Sequence, residues 1–150
     1  YLEDYSYTGI DLNDDHLKYA KKKYEKRKNS KFINADILKY DFKKHGKFDK
    51  ILMLGFMHHL PDKDLKSLLK IVPNLLNEKN SDSCLVTFDP VRTKYHFISN
   101  KLCDLDQGRY VRFADQYRDL LMNNFKLDKS NVITSRTKAS VYLVNKAIIK

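Results

Sequence analysis

Tryptophan is absent from this 150-residue chain, and glycine, proline and cysteine are scarce at four, three and two. So few glycines and prolines leave no flexible linker and no low-complexity tract. With no internal repeat either, the length fits one small globular domain, residues 1–150. Cys84 lies within an apolar run and Cys103 near a charged stretch, with neither CxxC nor metal-type histidine spacing. A disulfide framework and a zinc site are thereby excluded, both thiols are read as reduced, and no metal is expected. No run approaches the roughly 18 unbroken apolar residues that cross a bilayer. The first residues carry two acids where a secretory leader would be basic. These absences predict a cytoplasmic protein without membrane association.

What the chain has in excess is positive charge: 29 Lys and Arg against 19 Asp and Glu, a formal net charge of +10. That charge attracts polyanions and acidic metabolites. The lysines are nevertheless spread along nearly the whole chain. The densest run, Lys21-Lys22-Lys23 with Lys26, Arg27 and Lys28, falls on a predicted helix with an apolar opposite face. A solvated helix face accounts for it, and nucleic acid is not expected as a partner.

Strand-like and helix-like segments alternate, which predicts an α/β fold with a mostly parallel sheet covered on both faces. The first helix starts at Asn13 or Asp14 and runs to Lys28, burying Leu17, Ala20 and Tyr24. A strand follows at Lys31 to Asn34, and the apolar run Phe48 to Leu54, ended by Gly55, reads as a central buried strand. Asp62 is placed as the cap of a helix whose Leu65, Leu68, Leu69, Val72, Leu75 and Leu76 form one broad stripe. Pro73 removes a helical N–H and predicts a kink or an early end. Cys84 to Phe88 is another buried strand, stopped by Asp89-Pro90, where Asp89 reads as a turn residue. Residues 91–112 are too long for a structureless loop, so they hold an inserted helix around Tyr95 to Leu102 or a functional lid. Phe113 to Phe125 has helical spacing, and strands close the chain near Asn131 to Ser135 and Ser140 to Ile149.

The opening turn carries the strongest functional signal. Tyr7-Thr8-Gly9-Ile10-Asp11-Leu12 is a short apolar strand closed by an acid. In nucleotide-binding α/β units such a carboxylate accepts hydrogen bonds from ribose hydroxyls, and a glycine-rich turn lies upstream. Only six residues precede Tyr7, and no glycine occurs before Gly9. The first strand and its turn are therefore expected in about 30 to 60 further residues at the amino end, one strand–turn–helix unit with some lead-in.

Four blocks in order, Gly9-Ile10-Asp11-Leu12, Asn34-Ala35-Asp36-Ile37, Phe48-Asp49-Lys50-Ile51 through Leu54-Gly55-Phe56-Met57-His58-His59-Leu60, and Leu85-Val86-Thr87-Phe88-Asp89-Pro90, resemble the class I S-adenosylmethionine-dependent methyltransferases. The resemblance spans essentially the whole chain. It implies a Rossmann-like three-layer sandwich with an antiparallel last strand, here lacking the first strand and helix. It implies S-adenosyl-L-methionine as cofactor, with Asp11 gripping both ribose hydroxyls beside Leu12. Asp36 would meet the adenine amine, with Ala35 and Ile37 against the ring. Gly55 and Phe56 would pass the methionine part, and His58 and His59 would lie where substrate and methyl group meet. An imidazole titrates near neutrality and suits a general base.

The base- and glutamine-methylating signature Asn/Asp-Pro-Pro-Tyr is absent after Leu54, and neither cysteine follows a proline as in cytosine C5 enzymes. A small-molecule acceptor remains. Gly108-Arg109-Tyr110-Val111-Arg112 resembles a loop of some bacterial members of the family, and Arg109 and Arg112 would hold an acidic or phosphorylated substrate or pair with Asp104, Asp106 and Asp115. The alternative is a non-catalytic relative that binds protein or RNA, and a nicotinamide-dependent enzyme is a third reading. Self-association into a homo-oligomer is a possibility the missing central strand raises.

Overall fold

A computed structural model describes residues 5–150. Their contacts cluster into two compact units, one ending at Lys44 and one spanning His45–Lys150.

In the first unit, β1 (Tyr7–Asp11), α1 (Asp14–Lys23) and β2 (Ser30–Asn34) make a strand–helix–strand unit. The strands are parallel, in register from Tyr7 opposite Ser30 to Asp11 opposite Asn34. Asn13 caps α1, its side chain accepting from the backbone N–H groups of Asp15 and His16 at 2.9 and 3.3 Å. Acids in the first turn and lysines in the last complement the helix dipole. The helix ends at Lys23 and not at Lys28, because Glu25 to Asn29 offer no apolar side chain to bury and the chain turns through an Arg27 N–H bond to the Tyr24 carbonyl. Of the expected stripe only Leu17 is fully buried; Tyr24 instead stacks on Phe32 with ring centroids 6.3 Å apart.

The second unit holds β3 (Lys50–Leu54), α2 (Asp62–Ile71), β4 (Cys84–Pro90), α3 (Phe97–Leu105), α4 (Ala114–Met122), β5 (Phe125–Thr134) and β6 (Val141–Ile149). Its sheet order is β3-β4-β6-β5. β3 and β4 are parallel, and the last strand, β6, runs antiparallel to both β4 and β5. This is the expected α/β arrangement with a reversed final strand. The core gathers Leu65, Leu69, Leu85, Leu121, Leu143 and Phe125, each at most 1% exposed. Burying such a side chain contributes roughly 1.5–3 kcal/mol.

Several elements depart from the sequence reading. α2 stops at Ile71, and a 3₁₀ turn over Val72–Leu75 carries Pro73, so the proline ends the helix and does not kink it. Pro61 holds the N-cap position of α2, and Asp62 makes no capping bond; its carboxylate serves Arg112. β4 continues through Asp89 and Pro90, because β3 ends opposite Phe88 and leaves no partner that would need the missing proline N–H. α4 ends at Met122, and Phe125, which shares helical spacing with Leu121, begins β5. Within its own sheet β3 is an edge strand with Leu52 and Leu54 more than half exposed, not a central one. Residues 91–112 contain a true helix, α3.

Candidate functional site

β3 is followed by Gly55, whose N–H donates to the Phe88 carbonyl at 2.6 Å and whose φ of +62° lies where glycine is unstrained. That sharp exit leads into a 3₁₀ turn over Met57–His59. Met57 is fully buried and anchors the turn, which brings the His58 ring to the carboxyl end of β4. There Asp89 Oδ1 accepts both the His58 backbone N–H, at 3.2 Å, and the ring Nδ1–H, at 2.8 Å. Both side chains are at least 95% buried. Two hydrogen bonds to one oxygen fix the orientation of the ring, with Nδ1 turned to Asp89 and Nε2 to the other side. Among the described residues Asp89 Oδ2 is buried without a hydrogen-bond partner, so the carboxylate's contacts all run through Oδ1 and His58.

The chain after α3 closes over the opposite side of the ring. Asp106 Oδ1 lies 3.3 Å from His58 Nε2 and accepts the Gly108 N–H at 2.6 Å. Gly108 packs against the imidazole so closely that a Cβ there would stand 1.9 Å from Cδ2. The Tyr110 N–H donates to the His58 carbonyl at 3.0 Å. Arg112 then locks the turn: Nη1 donates to the carbonyls of Met57 (3.1 Å) and Tyr110 (2.9 Å), and Nη2 to that of Leu60 (2.7 Å). Nε and Nη2 both reach Asp62 Oδ1, at 2.9 and 2.6 Å. Tyr117 lies under the guanidinium, 5.5 Å from ring centre to Cζ. Burial, followed by the charge of Asp89, pushes its phenol well above the usual range, so it stays neutral.

His58 and Gly55 line a common pocket of about 200 Å³, together with Asp106, Leu102 and the stacked rings of Phe88 and Tyr142. His59 is exposed, its ring 4.1 Å from that of His58, and Phe56 is half-buried ahead of the turn. Ligand-type atoms of His58, His59 and Asp106 lie within 4.8 Å of one another. Arg109 is exposed, whereas the guanidinium of Arg112 is buried and given over to protein acceptors.

In the first unit, Asp11 and Asp36 stand at the carboxyl ends of neighbouring parallel strands, joined by an Ala35 N–H bond to the Asp11 carbonyl at 3.1 Å. Asp11 Oδ1 accepts the Asn13 N–H at 2.8 Å, and Oδ2 lies 3.5 Å from His16 Nδ1. Asp36 Oδ1 accepts the Leu38 N–H. Ala35 and Ile37 are half-buried, while Leu12 is exposed.

Asp89 and Asp106 are the site residues that sequence reasoning did not select. Asp89 carried the same signal as Asp11, an acid at the carboxyl end of an apolar strand. Asp106 carried none, because only the fold of the segment after α3 brings it to His58.

A methyltransferase-domain family matches residues 1–79, more than half of the chain. The chain belongs to the class I S-adenosylmethionine-dependent methyltransferases. Its fold is similar to that of the N-methyltransferase NodS from Bradyrhizobium japonicum WM9, with 13% identity over 95% of this chain and 72% of that one and a TM-score of 0.73. The PH0226 protein of Pyrococcus horikoshii OT3 is alike at 14% identity over 98% of this chain and 73% of that one, with a TM-score of 0.73. Magnesium protoporphyrin IX methyltransferase of Synechocystis PCC 6803, solved with bound S-adenosylhomocysteine, shares 17% identity over 95% of this chain and 63% of that one, with a TM-score of 0.67. No curated protein matches the chain by sequence. Among the described residues no helix is long and apolar enough to cross a membrane.

Proposed function

We propose that this methyltransferase acts on a small-molecule acceptor, with His58 as general base and Asp89 as its positioning residue. The observation that carries this reading is the Asp89–His58 pair, buried and fixed in orientation, with its ring bordering a pocket that Gly55 also lines. Such a pair takes a proton from a bound acceptor at Nε2 while Asp89 stabilises the imidazolium that forms.

The donor set suits S-adenosyl-L-methionine. Asp11 and Asp36 are partly exposed acceptors at adjacent strand ends, the chemistry that two ribose hydroxyls and an adenine amine require. In this reading Asp11, beside Leu12, takes the ribose, and Asp36 takes the amine with Ala35 and Ile37 along the ring. Gly55 and Phe56 accommodate the methionine part. The bound cofactor supplies an electrophilic methyl group, and the protein's work is to orient the acceptor and to remove its proton.

The test is calorimetric titration of S-adenosylhomocysteine into the wild-type protein and an Asp11→Ala variant. Binding that weakens at least tenfold in the variant supports the reading. No binding to the wild type overturns it and favours a role in protein or RNA binding.

A further inference from the structure

We infer that the acceptor is an amine, bound as its ammonium ion by Asp106 and the Phe88–Tyr142 ring pair and deprotonated by His58. The inference rests on the methyl-transfer reading above and adds the substrate class.

Charge distribution carries the argument. The chain holds 29 lysines and arginines, yet none lines the pocket beside His58, and the one charged carboxylate on its wall is Asp106. Two guanidinium groups on the surrounding segments are committed elsewhere: Arg112 to Asp62 and three carbonyls, Arg92 to Asp104 at 2.5 Å. An anionic acceptor would meet Asp106 and, behind His58, the buried charge of Asp89, with no cation in the pocket wall to offset them. Of the two arginines that suggested a phosphorylated or carboxylated acceptor, Arg112 is committed to protein acceptors and neither lines this pocket.

A cationic nitrogen finds a complete set of partners. Asp106 is exposed enough to receive it and lies 3.3 Å from Nε2, so one ammonium can donate to both groups. The faces of Phe88 and Tyr142, stacked at 4.7 Å, supply negative ring charge to an alkyl-ammonium body. Asp106 thus brings a carboxylate to the pocket wall directly beside the His58 ring, where an ammonium meets it without facing a cation.

The chemistry balances without a further reactant. The ammonium N–H bond breaks, its proton passes to Nε2, and the electron pair remains on nitrogen. The nitrogen then forms its bond to the donor's methyl carbon as the carbon–sulfur bond breaks with its pair left on sulfur. Protonated His58 is held by Asp89 until the proton leaves to water.

Benzylamine, benzyl alcohol and benzoate share a ring small enough for the pocket and differ only in the polar group. Their binding to the wild-type protein and to Asp106→Asn is measured by calorimetry with S-adenosylhomocysteine present, alongside methyl transfer from the labelled donor. The expected result is benzylamine bound at least tenfold tighter than the other two, with the preference lost in Asp106→Asn and S-adenosylhomocysteine affinity unchanged. Equal or tighter binding of benzoate or the alcohol overturns the inference, as does a preference that survives Asp106→Asn. Benzylamine binding that disappears with EDTA overturns it too, in favour of a metal held by His58, His59 and Asp106. Loss of S-adenosylhomocysteine binding in the wild type sinks the methyl-transfer reading instead, while an Asp106-dependent amine preference still supports an amine site.

Discussion

Gly108 sits against the Cδ2 edge of His58 with no space between them, and a methyl group on its Cα would lie 1.9 Å from the imidazole Cδ2. The ring cannot yield easily, because Asp89 holds its other edge at 2.8 Å. Gly108→Ala is therefore expected to push the imidazole off its bond to Asp89. With His58 as the proposed general base, turnover should fall about 10- to 100-fold, the cost of a small misplacement of such a group. S-Adenosylhomocysteine affinity should change less than threefold. Steady-state kinetics beside calorimetry check this, and unchanged turnover would show that the ring is not held where it acts.

In the proposed mechanism Asp89 acts through His58, and its removal separates positioning from structure. In Asp89→Asn the turn keeps its shape, but the preference for Nδ1–H and the charge facing the imidazolium are lost. The kcat is expected to drop roughly 100-fold, within the range that general-base catalysis contributes. KM for the donor should stay close to wild type, and the melting temperature is measured alongside. A fall in melting temperature with kcat unchanged would reduce Asp89 to a structural role.

The fork of Arg112 reaches backbone carbonyls and Asp62 in a geometry that an ammonium cannot reproduce. Arg112→Lys keeps the charge and strands at least one buried carbonyl of the histidine turn. A stability loss of about 2 kcal/mol is expected. Urea denaturation followed by circular dichroism measures it, and a loss under about 0.5 kcal/mol would mean that water replaces the fork.

At the start of β3, Asp49 accepts the side-chain amides of Asn80 and Asn77 at 2.7 and 2.9 Å, and those bonds hold its carboxyl below the usual range. A depressed folded-state pKa contributes stability above the unfolded value, near 3.9, and loses it as pH falls through the folded one. Wild-type melting temperature should therefore decline more steeply than that of Asp49→Asn between about pH 5 and pH 2. Parallel slopes in a thermal scan across that range would refute the contribution.

Elements with strong local periodicity were legible before any coordinates. The leucine stripe of α2 and the apolar run of β4 each appear where their spacing put them, as does the acid that closes β1. Asp62 shows why other features were not. Its position ahead of an apolar helix reads as a cap, yet a guanidinium 50 residues away competes for the same carboxylate and wins. Phe125 fits either a helix or a strand by spacing, and the pairing with Ile149 that decides the matter is non-local. The sequence pointed to His58 but not to its partners, because Asp89 and Asp106 approach it across 31 and 48 residues of chain, respectively, and no local pattern records that closure.

The same separation sets an order of events during synthesis. The turn carrying His58 emerges long before Arg112, and its Met57 and Leu60 carbonyls receive their donors only when that arginine arrives, 55 and 52 residues later. Until then the nascent chain can form β3 and α2 from local contacts but holds an unfinished turn at His58. The surroundings of His58 are thus completed late, at the stage when the residues that enclose it have also been made.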